Sequence, residues 1–233
     1  IPYEGRPEDV TADESEIGYL LDVVNRYFKE QLRREDILHA FSGVRPLFDD
    51  GKGNPSAVTR DYTFDLDETD GVPLLNVFGG KITTFRKLAE EAVDLVAPIL
   101  GNQHGAWTAD ACLPGGDIFG PQVSNRAVLE FDDYVRELQL EYPWLPAALL
   151  ERYARAYGTR IKLLLAGRSG MADMGEAVAP GLYAAEVQYL TQYEWATTTE
   201  DILWRRSKLG LHLAKTNESR RKLNHWLHDL EKQ

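Results

Sequence analysis

Between residues 12 and 29, apolar side chains recur at Ile17, Leu20, Leu21, Val24, Tyr27 and Phe28, the spacing of one helical face. Thr11-Ala12-Asp13-Glu14 ahead of them has the form of a capping box, so the pattern predicts a helix. After the charged turn Arg33-Arg34-Glu35-Asp36, residues 37–47 read as a strand ending at Arg45-Pro46, because proline cannot donate to a ladder. Strict alternation follows. Val58, Arg60, Tyr62, Phe64 and Leu66 share one face, while Thr59, Asp61, Thr63 and Asp65 share the other. Arg60 thus falls on the apolar side. The run from Val72 to Phe78 is almost continuously apolar, as expected of a strand covered on both faces. It leads through Gly79-Gly80 into a long amphipathic helix whose apolar positions extend from Ile82 to Leu100.

Beyond Gly105 the pattern changes to repeated helical segments. They cover residues 128–140, a helix opened by Pro146 and closed at Gly158, then 159–166, 183–193, 200–209 and 217–230. The loop Gly101-Asn102-Gln103-His104-Gly105 separates the two regimes, and all five tryptophans follow it. Charge also divides there, with 11 Lys and Arg against 20 Asp and Glu before the boundary and 15 against 17 after it. Residues 1–105 therefore read as a mixed unit of strands plus a long helix, and 106–233 as a mostly α-helical domain. The whole is of the α+β class.

Composition narrows the function. The 233 residues carry a formal net charge of −11, which argues against nucleic acid as a partner, since such binding needs a basic surface. A single cysteine, Cys112, permits no internal disulfide and fits a reducing, cytoplasmic setting. No apolar run approaches the ~20 residues of a spanning helix, and the polar opening Ile1-Pro2-Tyr3-Glu4 lacks a signal-peptide pattern. The only methionines are Met171 and Met174, so the start of translation is expected outside this chain.

The strongest chemical device is Phe78-Gly79-Gly80-Lys81-Ile82-Thr83-Thr84. Paired glycines let the backbone turn and approach a ligand closely, while the unpaired amides and dipole of the new helix favour negative charge beside Lys81. The alternative is a tight strand-to-helix connection and nothing more. The spacing is neither a phosphate-cradling P-loop nor a Gly-x-Gly-x-x-Gly fingerprint. Arg45, at a strand end, and Arg60, on an apolar face, each need a carboxylate, a carbonyl or a bound anion, because an unpaired buried charge is costly. They form either internal ion pairs with Asp49, Asp50 or Asp61, or a clamp for phosphate or carboxylate. His39 reads as a core histidine, His225 and His228 as a solvated helix face, and Asp201 with Arg205 as a surface pair four residues apart. No metal set and no covalent nucleophile emerge.

Phe41-Ser42-Gly43-Val44-Arg45-Pro46-Leu47, Thr59-Arg60-Asp61-Tyr62, Val77 to Leu88 around the glycine pair, Leu113-Pro114-Gly115-Gly116, Glu194-Trp195-Ala196 and Asp201 to Gly210 span nearly the whole chain. Together these stretches resemble the second half of the FAD-dependent, quinone-linked (aerobic) glycerol-3-phosphate dehydrogenases. The resemblance implies the C-terminal part of a D-amino-acid-oxidase-like flavoprotein, followed by a helical domain. It implies oxidation of sn-glycerol 3-phosphate to dihydroxyacetone phosphate by hydride transfer to FAD, with electrons passed to a quinone. It assigns Gly79, Gly80, Lys81, Ile82 and Thr83 to the cofactor and Arg45, Arg60 and Lys81 to the substrate, and leaves the catalytic base unassigned. The family's dinucleotide fingerprint is absent here, so this chain alone is expected to hold FAD poorly and to be inactive. Peripheral contact with the cytoplasmic face of the inner membrane and a homodimer are compatible with the resemblance. Two alternatives stand beside it: an oxidase delivering electrons to oxygen, and a non-catalytic helical interaction module.

Overall fold

The computed structural model describes residues 3–44, 61–69, 71–213 and 221–226. The chain divides into two compact units, Ile1–Ala109 and Asp110–Gln233.

In the first unit, helix α1 (Glu14–Tyr27) is started by Asp13. The Asp13 carboxylate accepts from the Ser15 and Glu16 amides at 2.8 Å, and Glu16 accepts in return from the Asp13 amide at 3.1 Å. The capping box is thus real but sits two residues later than the Thr11 pattern implies, because the carboxylate of Asp13 satisfies the first free amides itself. Residues 37–44 form no strand, contrary to expectation, and 45–47 lie outside the described residues. No described strand pairs with 37–44, and extended chain without a ladder has nothing to hold it. His39 in this segment is exposed rather than in a core.

Strands β1 (Tyr62–Asp67) and β2 (Leu74–Gly79) pair antiparallel, in a register running from Tyr62 opposite Gly79 to Asp67 opposite Leu74. The run from Val72 to Phe78 was expected to be covered on both faces. Instead β2 pairs only with β1 among the described residues, and Leu74, Val77 and Phe78 are exposed. A single turn of 3₁₀ helix (Ile82–Thr84) then leads into α2 (Phe85–Val96). The Tyr62 hydroxyl donates to Glu91 at 2.8 Å and ties the hairpin to this helix.

The second unit contains the core. Among the described residues, Ile17 and Ala97 are the buried apolar side chains of the first unit, whereas the second buries Leu138, Leu150, Tyr153, Ile161, Leu190 and Ile202, among others. At about 1.5–3 kcal/mol for each large aliphatic or aromatic side chain fully buried, this unit holds most of the hydrophobic stabilisation among the described residues. Its helices are α3 (Arg126–Leu129), α4 (Phe131–Glu141), α5 (Ala147–Tyr157), α6 (Ile161–Leu164) and α7 (Ala184–Tyr193). Residues 221–226 are also helical. The segment expected as one helix over 128–140 is broken at Glu130, where the backbone turns out of the helical range. A short hairpin, β3 (Ala177–Ala179) and β4 (Leu182–Tyr183), precedes α7, and Asp201–Arg206 winds as a π-helix. Among the described residues no helix is long and apolar enough to cross a membrane.

One charged group lies at the centre of this core. Glu186 is completely buried, yet both its oxygens are used. Arg152 donates to them from Nη1 at 2.7 Å and Nη2 at 2.6 Å, and Tyr157 donates from its hydroxyl at 2.5 Å. The Arg152 Nη2 also reaches the Gly181 carbonyl at 2.7 Å and so holds the β3–β4 turn. A buried carboxylate persists only when paired and hydrogen-bonded in this way.

Burial also pushes up several phenols of this unit, Tyr134, Tyr142 and Tyr189 to about 12 and Tyr153 and Tyr157 well above the ordinary value of 10.0. Between pH 10 and these raised values, the neutral form is favoured in the folded state alone. The stability they confer is therefore complete below pH 10 and is lost as pH rises through their folded values, because there the unfolded chain releases protons that the folded chain retains. Within that window each such phenol removes roughly 1.4 kcal/mol per pH unit. Thermal unfolding followed from pH 8 to pH 12 is expected to show a plateau and then a steep fall above pH 10. A melting temperature flat through that range would contradict the assignment.

Candidate functional site

The glycine turn is positioned by the elements on either side of it. The ladder ends at Gly79, opposite Tyr62, and the backbone then passes through two successive residues with positive φ, Gly79 at 74° and Gly80 at 97°. Residues with a Cβ are strained at such angles, so the turn requires glycine at both positions. Space alone is less restrictive, since a Cβ on Gly80 would meet the flexible tip of Leu88 at 3.3 Å and Tyr62 Cβ at 3.5 Å.

Lys81 is extended and begins the 3₁₀ turn; its carbonyl accepts from the Thr84 amide and from the Thr84 hydroxyl, both at 3.0 Å. No side chain caps this opening. The first amides of a helix without a cap carry partial positive charge and suit an electron-rich group. Lys81 is exposed and makes no ion pair or side-chain hydrogen bond among the described residues. Ile82 beside it is 85% exposed. Arg86, by contrast, is engaged, pairing with Glu90 at 2.8 Å while Glu90 accepts from the Thr108 hydroxyl at 2.6 Å. The Thr108 hydrogen bond, with Arg86 adding to it, lowers the Glu90 carboxyl below its ordinary range. The cation next to this opening is therefore Lys81, with Arg86 committed to the helix.

Of the residues singled out by sequence, Gly79, Gly80, Lys81, Ile82 and Thr83 form one continuous turn. Arg45 and Arg60 lie outside the described residues. Asp201 and Arg205 do pair, at 3.0 Å, but Asp201 does more than the surface pair implies. It accepts from the hydroxyl and amide of Thr198 and from the amide of Thr197, and these bonds hold its carboxyl well below the usual carboxylate range. His225 is exposed, and His228 lies outside the described residues. The Glu186–Arg152 pair escaped sequence reading, although a glutamate within Ala184-Ala185-Glu186-Val187, at core positions of a helix, is a legible signal of a buried partner. The link from Tyr62 to Glu91 spans 29 residues and left no pattern.

The chain is similar in sequence to known proteins. The sequence profile of the family described as the C-terminal domain of alpha-glycerophosphate oxidase matches residues 106–225. The chain belongs to this family. It is 55% identical over 219 residues to a D-erythritol 1-phosphate dehydrogenase of Brucella abortus, which covers 94% of this chain and 42% of the relative. It is 52% identical over 219 residues to a glycerol-3-phosphate dehydrogenase of Pseudomonas aeruginosa, covering 94% of this chain and 41% of the relative. The aerobic glycerol-3-phosphate dehydrogenase of Escherichia coli is 45% identical over 228 residues, or 97% of this chain and 43% of that protein. The chain thus spans about two-fifths of the length of the curated relatives it matches.

Proposed function

We propose that this chain works as the C-terminal portion of a flavin-dependent dehydrogenase that oxidises a phosphorylated polyol, in the first place glycerol 3-phosphate to dihydroxyacetone phosphate, with a quinone as final electron acceptor. The observation that carries this reading is the uncapped opening at Ile82–Thr84 with Lys81 beside it, in a chain 52% and 45% identical to two glycerol-3-phosphate dehydrogenases. The residues present suit FAD. Two glycines at positive φ clear a close approach to the backbone, and the amides that follow offer donors to an electron-rich ring edge. When bound, FAD supplies the acceptor for the two electrons removed from the alcohol.

The chain's own residues then bind and orient. The amides of Lys81, Ile82 and Thr83 hold the cofactor edge, Lys81 adds positive charge beside it, and Arg45 and Arg60 clamp the substrate phosphate through their paired donors. Residues 1–105 belong on this reading to the cofactor- and substrate-binding part, and 106–233 to the helical domain. Exposed apolar side chains of the first unit, including Leu38, Phe41 and Val72, support its packing against further protein length. The 233 residues alone are inactive on this reading, and any membrane contact, at the cytoplasmic face of the inner membrane, is peripheral. A second substrate, D-erythritol 1-phosphate, is favoured by the 55% identity to a dehydrogenase named for it.

Arg45→Ala and Arg60→Ala, made in the full-length flavin-loaded protein, test the clamp. Each is expected to raise KM for glycerol 3-phosphate at least tenfold, on the order of 1.4 kcal/mol or more of lost binding. Unchanged KM in both variants would remove the arginines from the site.

A further inference from the structure

The helical unit carries a cleft that the glycine turn does not use. It lies at the end of α7, is lined by Tyr157, Tyr193, Glu194, Trp195, Arg205 and Arg206, among others, and is an open groove with a volume of about 450 Å³. That volume falls within the ~300–1,000 Å³ of small-molecule sites.

Two backbone features single it out. Trp195 has φ 54°, in the left-handed region, and its side chain is 85% exposed. The amides of Glu194 and Ala196 both close on the Leu190 carbonyl at 3.1 Å, a helix-ending turn whose left-handed position glycine fills without strain. A tryptophan there strains the backbone and gains little core packing in return, the pattern of a residue held for a ligand. Arg205 and Arg206 come from the π-helix Asp201–Arg206, a rare winding that recurs at functional sites. Lys208, at φ 58°, lies two residues beyond it, so the non-glycine residues at positive φ among the described residues, Trp195 and Lys208, fall on either side of this π-helix.

The side chains are pre-set. Arg206 donates from Nε to the Glu194 carbonyl at 2.7 Å, and its terminal nitrogens have no acceptor among the described residues. Arg205 is anchored on Asp201 at 3.0 Å. The Tyr193 ring stacks on Tyr189, with centroids 5.5 Å apart and planes 30° apart, and the Arg160 guanidinium lies 5.7 Å from its centre. The cleft therefore combines flat aromatic surface with a guanidinium offering two-pronged donors, which suits a ligand with a flat ring at one end and an anion at the other.

We propose that this cleft binds a nucleoside monophosphate, its base against Trp195 and its phosphate on Arg206 with Arg205 beside it. Isothermal titration of the 233-residue chain with AMP, adenosine and inorganic phosphate tests this. AMP is expected to bind in the sub-millimolar range, and adenosine and phosphate each at least tenfold more weakly. Trp195→Gly should cost at least tenfold in AMP affinity while the melting temperature holds or rises, a combination that a merely structural tryptophan would not give. Arg206→Gln should weaken AMP by a similar factor and leave adenosine unchanged. Absence of AMP binding at millimolar concentration, phosphate binding as tightly as AMP, or unaltered AMP affinity in either variant would overturn the proposal.

Discussion

Replacing Gly158 by alanine is expected to lower the melting temperature of the chain by roughly 10 °C, the largest effect of any single methyl group here. Gly158 ends α5 at φ 53° and ψ −133°, a combination open to glycine and strained for other residues. Its backbone also passes directly beside the loop at Gly115, and an added Cβ would stand 1.9 Å from the Gly115 carbonyl oxygen. That oxygen accepts from the Thr159 amide at 3.1 Å, so the loop cannot withdraw without breaking the contact that seats it. The strained backbone costs on the order of 1–3 kcal/mol, and moving backbone rather than a side-chain tip adds to it. A total near 3–4 kcal/mol, at about 2–4 °C per kcal/mol for a chain of this size, gives the predicted shift. Gly167→Ala is the matching control. It shares a positive φ, 72°, but has nothing within 4 Å of the added carbon, so it should cost only about 1 kcal/mol. Thermal unfolding by circular dichroism compares the two, and equal shifts would mean that the Gly115–Gly158 contact contributes nothing.

This contact also shows what the sequence made legible. Pro146 and Gly158 marked both ends of α5 correctly, and the 3.6-residue spacing placed α1, α2 and α7 to within a few residues, because the apolar positions of a helix recur locally along the chain. The same glycine gave no hint that it touches Gly115, 43 positions earlier, since close approach of two backbones leaves no periodicity. Residues 37–44 failed in the opposite way. Their apolar composition reads as strand, but a strand exists only with a partner, and none lies beside them among the described residues. The hairpin β3–β4 was passed over although Pro180-Gly181 sits at its turn, because strands of three and two residues are too short for alternation to register. At the candidate site, the glycines and Lys81 stood out because backbone conformation and dipole are local properties. The interactions that fix the site, Tyr62 with Glu91 and Glu90 with Thr108, join residues far apart in the chain and became visible only in three dimensions.

On the proposed function, the largest functional effect is expected where the glycine turn would meet FAD. The opening at Lys81-Ile82-Thr83 presents amides and a cation, and no side chain caps it. Positive potential at that point favours the electron-rich state of a bound ring, so the two electrons removed from a correctly held polyol phosphate should stay on the flavin when no acceptor is present to re-oxidise it. The 233-residue chain alone should not retain stoichiometric FAD, whereas the full-length protein should. The deciding measurement is therefore anaerobic titration of the full-length, FAD-loaded protein with glycerol 3-phosphate and, in parallel, with D-erythritol 1-phosphate, following the visible flavin absorbance. Complete bleaching by glycerol 3-phosphate is the predicted result. Bleaching by D-erythritol 1-phosphate alone would move the assignment to the longer polyol, and undiminished absorbance with both, in fully loaded protein, would contradict the proposed function.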